Sequence, residues 1–201
     1  MTAQVIYGAK TMPTVIKLHP MMVMTDDQFF EFCQVNSDYQ FERTVKGELV
    51  VMAPTGSESG KRNASLTVQV GVWAEQDGTG LIFDSSTGFT LPNGAIRSPD
   101  LAWIQTARWQ AIPLEQRRKF APICPDFVVE LRSETDDVTM LKAKMQEYLD
   151  NGASLGWLID PIERQVYLYQ PMIAVQQINQ PERLSGDPTL PGFELDLRKI
   201  W

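Results

Sequence analysis

The pattern of apolar and polar residues along the chain predicts three amphipathic helices and a fourth, basic helical segment. Apolar residues recur at helical spacing in residues 26–35, 62–75 and 136–151, and a basic stretch at residues 107–120 also has a helical pattern. Thr25 precedes the first stretch and Gly152 follows the third, which is typical of residues that begin and end helices. Residues 54–60 are rich in glycine and serine, and they predict a loop before the second helix.

Short runs of β-branched and aromatic residues predict strands between these helices. The runs are residues 40–44, 48–53, 81–84, 88–91, 101–104, 126–132, 155–160 and 165–169, with a partial strand within 193–201. Turns at Lys46-Gly47 and Pro92-Asn93-Gly94 separate several runs, and residues 81–104 predict a meander. The run Phe127-Val128-Val129 is typical of a buried central strand. We therefore expect a mixed α+β fold with a central mixed sheet flanked by helices.

Length and composition limit the class of protein. The 201 residues are 43% hydrophobic and 21% charged, which suits one domain with a buried core. Residues 1–24 lack clear periodicity, so we expect an N-terminal arm that packs on the body or on a second subunit, and a single domain at residues 25–201. No apolar run reaches the roughly 18 to 20 residues of a membrane helix, and residues 1–10 lack the apolar stretch expected of a signal peptide. We therefore expect a cytoplasmic protein without a membrane partner.

Carboxylates are the candidate functional groups. His19 is the single histidine and lies in the predicted arm, so a histidine-dependent nucleophile has no suitable base. Cys33 and Cys124 are about ninety residues apart, which fits neither a disulfide framework nor a metal finger, so we expect reduced core thiols. Asp100, Asp126 and Glu130 lie at or within predicted strands, where a buried carboxylate is costly unless it has a partner or binds a metal.

Strand geometry selects Asp100 and Glu130 from these carboxylates. Asp126 and Glu130 lie on one strand face but about 13 Å apart, at roughly 3.3 Å per residue, which one ion cannot bridge. Asp100 lies on a neighbouring strand, where about 5 Å across the ladder would allow a shared ion. Lys144 belongs to an apolar stripe of the following helix, so it borders the buried face and needs an anionic partner.

Seven short segments, in their order along the chain, together resemble the motifs of a known family. They are FER at 41–43, GELVVM at 47–52, PTG at 54–56, RSPD at 97–100, PDFVVELRS at 125–133, KMQEY at 144–148 and GWLIDP at 156–161. This arrangement resembles the Uma-type putative restriction endonuclease family, which belongs to the PD-(D/E)xK nuclease superfamily. The resemblance covers about residues 25–201 and implies a restriction endonuclease-like core.

The resemblance implies a metal-dependent endonuclease in which Asp100 and Glu130 bind Mg²⁺ or Mn²⁺. The superfamily lysine usually lies two residues after the glutamate, where this chain has Arg132, a residue that can hold phosphate charge but is a poor general base. In the Uma-type pattern the lysine role falls to Lys144, and Glu42 matches a further acidic position near the site. DNA is the implied partner, with RNA left open, and superfamily enzymes commonly act as homodimers.

Two features favour a different class of function. Many family members have a histidine in the loop after the Pro-Thr pair, whereas this chain has Gly60-Lys61-Arg62-Asn63. The 18 Lys and Arg residues against 25 Asp and Glu residues give a net charge of −7, which disfavours tight nonspecific binding to nucleic acid. A bound divalent ion would supply local positive charge. A noncatalytic binding or scaffold protein with the nuclease fold therefore remains the alternative.

Overall fold

The computed structural model describes residues 14–19, 21–52 and 54–201, so most of the predicted arm and Ala53 lie outside the described residues. The strands are β1 Thr14–Ile16, β2 Gln40–Arg43, β3 Leu49–Met52, β4 Gly80–Asp84, β5 Phe89–Thr90, β6 Ile96–Arg97, β7 Leu101–Gln105, β8 Phe127–Leu131, β9 Leu155–Asp160, β10 Gln165–Tyr169, β11 Gln176–Asn179, β12 Arg183–Ser185 and β13 Glu194–Asp196. The helices are α1 Asp26–Val35, α2 Ser57–Asp77, α3 Thr106–Gln110, α4 Leu114–Arg117 and α5 Val138–Asp150, followed by a 3-10 turn at Leu197–Lys199.

Six strands form a central mixed sheet in the order β11-β10-β9-β8-β7-β4. β8 and β9 are parallel, while the other neighbouring strands are antiparallel. β8 lies inside the sheet, and all of its residues are buried, as its apolar run predicted. The predicted α+β fold with a central mixed sheet is confirmed.

A second, five-stranded sheet has the order β1-β3-β2-β6-β5. The predicted meander over residues 81–104 is wrong, because its strands are divided between the two sheets. β4 pairs directly with β7 over five residues, so β5 and β6 leave the central sheet and form a hairpin beside β2. The sequence marks the turns but not the strand partners, and the longer β4–β7 ladder prevails over a meander of two-residue strands. Part of the predicted arm, β1, pairs with β3.

Helices cover the two faces of the central sheet because strand side chains alternate between faces. Val129 and Trp157 pack in one apolar cluster with Leu66 and Val70 of α2. Their neighbours Val128 and Leu158 pack in another cluster with Met145 and Tyr148 of α5. Glu130, two residues after Val128, therefore belongs to the face that α5 covers.

Two predicted helical segments differ from the structure by more than a few residues. α2 begins at Ser57, within the segment predicted as a loop, because Gly56 takes the extended N-cap conformation and Glu58 suits the first turn of a helix. The basic stretch at 107–120 forms two short helices, α3 and α4, with Pro113 at the start of α4.

Both cysteines are free thiols, Cys33 partly buried and Cys124 buried. No helix within the described residues is long and apolar enough to cross a membrane.

Candidate functional site

An open cleft with a volume of about 1310 Å³ contains the predicted site residues. Its walls come from β2 and β3 of the second sheet, the first turns of α2, and the first half of α5. Glu42, Asp100, Glu130 and Lys144 all line this cleft. The four residues that were predicted for the site thus meet, although they come from three strand regions and one helix.

Asp100 and Glu130 lie opposite each other at the end of the β7–β8 ladder. Leu101 pairs with Val129, so one further step in this antiparallel register brings Asp100 to Glu130. The backbone N–H of Leu131 donates to Asp100 Oδ2 at 2.7 Å, which fixes the Asp100 carboxylate against the end of β8. Within the described residues, no hydrogen bond engages Asp100 Oδ1.

Lys144 and Tyr148 of α5 both contact the same oxygen of Glu130. Lys144 Nζ lies 2.7 Å from Glu130 Oε1, and the Tyr148 hydroxyl donates to that oxygen at 3.2 Å. The two residues are four apart and so share one helix face. No residue of the described chain bonds to Glu130 Oε2. Asp100 and Glu130 therefore each keep one oxygen without a protein partner.

Glu42, on β2, is bound differently from these two carboxylates. Its Oε1 accepts from Ser98 N at 2.9 Å and contacts Lys144 Nζ at 2.7 Å, while its Oε2 accepts from Arg97 Nη1 at 3.0 Å. Glu42 is only 2% exposed. Both of its oxygens are thus engaged by the protein.

Three oxygen atoms of the protein surround the Lys144 ammonium in this arrangement. An ammonium has three N–H donors. Its neighbours are Glu42 Oε1 and Glu130 Oε1, both at 2.7 Å, and the carbonyl oxygen of Ser98 at 3.2 Å. Lys144 must therefore give up one partner before it can donate to a bound molecule, and the neutral carbonyl is the weakest of the three.

Burial and neighbouring charges separate the pKa values of the three carboxylates. Burial raises the pKa of Asp100 to about 6, and it raises the pKa of Glu130 to about 8 despite the attraction of Lys144. Burial also opposes ionisation of Glu42, but the charges of Lys144 and Arg97 hold its pKa below the usual value. Burial opposes the charged form of Lys144 as well, yet the two glutamates hold its pKa above the usual value. Glu42 and Lys144 are therefore an ion pair, whereas Asp100 ionises only near pH 6 and Glu130 retains its proton at neutral pH.

The net charge of this cluster is suited to binding a divalent cation. The carboxylates are Glu42, Asp100, Glu130 and Glu147, and the cations are Arg97 and Lys144. With all groups ionised, two negative charges are in excess. Within residues 14–19, 21–52 and 54–201, no three His, Cys, Asp or Glu side chains are arranged to hold a metal. Mg²⁺ commonly uses only one or two carboxylates together with water and substrate phosphate, so two free carboxylate oxygens fit this ion.

Three other residues considered from the sequence lie away from this cluster. Asp126 accepts hydrogen bonds from Arg108 and from the backbone N–H of Gln105, which is a structural role. Arg132 pairs with Asp160 at 2.6 Å and does not contact Glu130. His19 is exposed on the surface.

Arg97, Ser98, Glu147 and Tyr148 join the cluster without having been predicted as site residues. Arg97 Nε donates to Glu147 Oε2 at 2.6 Å, in addition to its bond with Glu42. A signal existed for Glu147, since it lies three residues after Lys144 and so faces the same side of α5. Arg97 and Ser98 lie in the RSPD segment at 97–100, of which only Asp100 was predicted to belong to the site.

Comparison with known proteins identifies a family to which the sequence matches and a solved structure with a similar fold. The model of the Uma2 family, described as "Putative restriction endonuclease", matches residues 26–198. A solved structure of a "putative nuclease" from Anabaena variabilis has a TM-score of 0.71 to this chain and is 18% identical in sequence. That match covers 88% of this chain and 97% of the Anabaena chain, and it shows a shared fold. Comparison with curated proteins gives no match. Since the family match spans most of the sequence, the chain belongs to the Uma2 family of putative restriction endonucleases.

Proposed function

We propose that this protein is a divalent-metal-dependent endonuclease that hydrolyses phosphodiester bonds of nucleic acid in the cleft. One observation carries the proposal: Asp100 and Glu130 face each other at a strand end, each with one free oxygen, beside a protonated lysine. Family membership supports a nuclease and a nucleic-acid substrate. DNA is the first candidate substrate and RNA the second.

Asp100 and Glu130 are the residues that would hold Mg²⁺ or Mn²⁺. Such an ion supplies Lewis acidity at the phosphate and lowers the pKa of an attacking water. The chain prepares the two ligands, because Leu131 N holds one Asp100 oxygen, and Lys144 and Tyr148 hold one Glu130 oxygen. The remaining oxygen of each carboxylate would then be available to the ion.

Lys144 would stabilise the negative charge that develops on the phosphate oxygens in the transition state. Its pKa is raised by Glu130 and Glu42 despite burial, so it acts as a charged hydrogen-bond donor and not as a general base. The bond to the Ser98 carbonyl is the one it would exchange for a phosphate oxygen. Glu42 has no free oxygen, and we assign it the role of holding Lys144 and not that of a metal ligand.

Cleavage of nucleic acid with matched variants tests the proposal. Circular DNA, linear DNA and RNA are incubated with wild type in Mn²⁺ and in Mg²⁺. Asp100→Asn and Lys144→Met should each lower the rate by about 10²-fold or more. The controls are Glu134→Gln, an exposed carboxylate of the same cleft, and Lys142→Met, whose ammonium lies 3.9 Å from the Tyr167 ring centre. Equal cleavage by Asp100→Asn and wild type would refute the proposal.

A noncatalytic binding or scaffold protein is the second candidate function. The observation that favours it is the complete engagement of Lys144 by Glu42, Glu130 and Ser98, which is also what a purely structural buried ion pair requires. In that case wild type would cleave no substrate, and Asp100→Asn would change neither metal binding nor nucleic-acid binding. The homodimer and the cytoplasmic location remain predictions, and gel filtration with light scattering tests the former.

A further inference from the structure

We infer that Arg97 is a positioning residue for Lys144, and that it acts by clamping Glu42 of β2 and Glu147 of α5 to each other. Its importance for catalysis rests on the proposed function, whereas its effect on Lys144 does not. The sequence and the family description assign no role to Arg97.

The clamp joins β2 to α5, the helix that carries Lys144. The Arg97 guanidinium donates through Nη1 to Glu42 Oε2 at 3.0 Å and through Nε to Glu147 Oε2 at 2.6 Å. Glu42 lies on β2 of the second sheet, and Glu147 lies on α5, which packs on the central sheet. Lys144, one helical turn before Glu147, makes a parallel connection from α5 to Glu42. Two connections thus fix the spacing between β2 and α5.

The clamp is largely buried, so water compensates for its loss only in part. The side chains of Arg97 and Glu147 are 13% and 15% exposed, and that of Glu42 is 3% exposed. A buried ion pair deprived of one partner leaves an uncompensated charge. Without Arg97, Lys144 would be the only cation in contact with Glu42. The ammonium would therefore move toward Glu42 and away from Glu130.

The shape of the guanidinium matters as well as its charge. A guanidinium presents several N–H donors in a fixed plane and can bridge two carboxylates, whereas a lysine ammonium is a point charge on a flexible stem. Arg97→Lys should therefore keep a positive charge but lose one of the two carboxylates. This makes the lysine variant a measure of geometry apart from net charge.

Glu147 has a further anchor that makes it a fixed end of the clamp. Asn93, in the turn between β5 and β6, donates through Nδ2 to Glu147 Oε1 at 3.0 Å. The backbone N–H of Asn93 also donates to Asn151 Oδ1 at 2.8 Å. The β5–β6 hairpin, whose last residue is Arg97, is thereby attached to α5 at two points.

The test measures the Lys144 ammonium directly in the metal-free, full-length protein. A buried ammonium with three engaged donors exchanges its hydrogens slowly, so its ¹⁵N–¹H signal should be observable by NMR, and Lys144→Met assigns it. In Arg97→Met the exchange should become at least about tenfold faster, and Glu147→Gln should have a smaller effect in the same direction. Arg97→Lys should fall between Arg97→Met and wild type. The control Arg183→Met removes an exposed pair with Glu194 and should leave the signal unchanged.

Activity gives a second reading, and folding is monitored for every variant. With a cleaved substrate in hand, Arg97→Met should lower kcat by about 10–100-fold with little change in KM, as expected for a residue that orients another. If Arg97→Met does not fold, Arg97→Lys and Glu147→Gln provide the NMR test. An unchanged Lys144 signal in these folded variants would overturn the inference, even where thermal stability falls. Because the NMR measurement uses neither metal nor substrate, it stands whether or not cleavage is found.

Discussion

The metal-free protein should lose stability as the pH rises from about 5 to 8, and Glu130 should be the main cause. Burial raises the pKa of Glu130 from 4.5 to about 8. Glu130→Gln is the informative perturbation, because glutamine keeps the shape of the side chain and its acceptor oxygen for Lys144 and Tyr148 but cannot ionise. The difference in pH dependence between wild type and this variant isolates the proton of Glu130.

The sign and size of the effect follow from proton linkage. Below pH 4.5 both the folded and the unfolded protein hold the Glu130 proton. Between pH 4.5 and about 8 only the folded protein holds it, so the free energy of unfolding decreases as the pH rises and levels off above 8. One pKa unit corresponds to about 1.4 kcal/mol, which gives a loss of roughly 2–4 kcal/mol from pH 5 to 8. Asp100, with a pKa raised to about 6, acts in the same direction at lower pH.

Urea unfolding in EDTA at pH 5, 6, 7 and 8 measures this dependence. The interval from pH 7 to 8 is the most selective, since the chain has a single histidine and Asp100 has ionised by then. Glu130→Gln should have a nearly constant stability there and should exceed wild type at pH 8. The control Glu134→Gln, an exposed carboxylate of the same cleft, should follow wild type. Parallel profiles for wild type and Glu130→Gln would refute the reasoning.

Three other measurements test the site, the thiols and the core. Mg²⁺ affinity should rise between pH 6 and 8, because binding displaces protons from Asp100 and Glu130, and calorimetry in buffers of different ionisation enthalpy should detect about one released proton. Cys124 should react with a thiol reagent at pH 8 only after unfolding, because burial raises its pKa to about 12. Trp157→Ala should cost about 3–5 kcal/mol in urea unfolding, because the ring is fully buried in the central sheet.

Each of these measurements has a control and a contradicting result. For Mg²⁺, Glu134→Gln should release the same protons as wild type, and an affinity independent of pH would contradict the site. For the thiols, Cys124→Ala identifies the labelled residue, and rapid labelling of Cys124 in the folded protein would contradict its burial. For the core, Met172→Ala changes a fully exposed side chain and should cost under about 0.5 kcal/mol. A similar small cost for Trp157→Ala would contradict the packing.

The sequence predicted those helices and strands whose hydrophobic pattern and end signals lie within or next to the element itself. β9, β10 and α1 have the predicted bounds, and the structure adds that Thr25, where α1 was predicted to start, forms a capping box with Gln28. Strand partners are not local in this way. The wrong meander arose because β5 and β6 carry good turn signals, while their place beside β2 depends on tertiary packing. β11 was not predicted because its sequence, QQIN, is mostly polar and exposed.

The candidate site was partly predictable for the same physical reasons. Opposition of Asp100 and Glu130 follows from an antiparallel register, and the inward face of Lys144 follows from helical spacing. The resemblance to a nuclease family added Glu42. Helical spacing places Glu147 on the same side of α5 as Lys144, but its contact with Arg97 was not predictable, because it joins the second sheet to α5 and no sequence period indicates which layers meet.

Binding of Mn²⁺ measured by calorimetry tests the central claim most directly, since it needs no knowledge of the substrate. Wild type in metal-free buffer is titrated beside Glu130→Gln and the control Glu134→Gln. The account predicts specific binding to wild type and to Glu134→Gln, and its loss in folded Glu130→Gln. Absence of binding to folded wild type, or equal binding by Glu130→Gln, would contradict the metal site formed by Asp100 and Glu130 and favour the noncatalytic candidate.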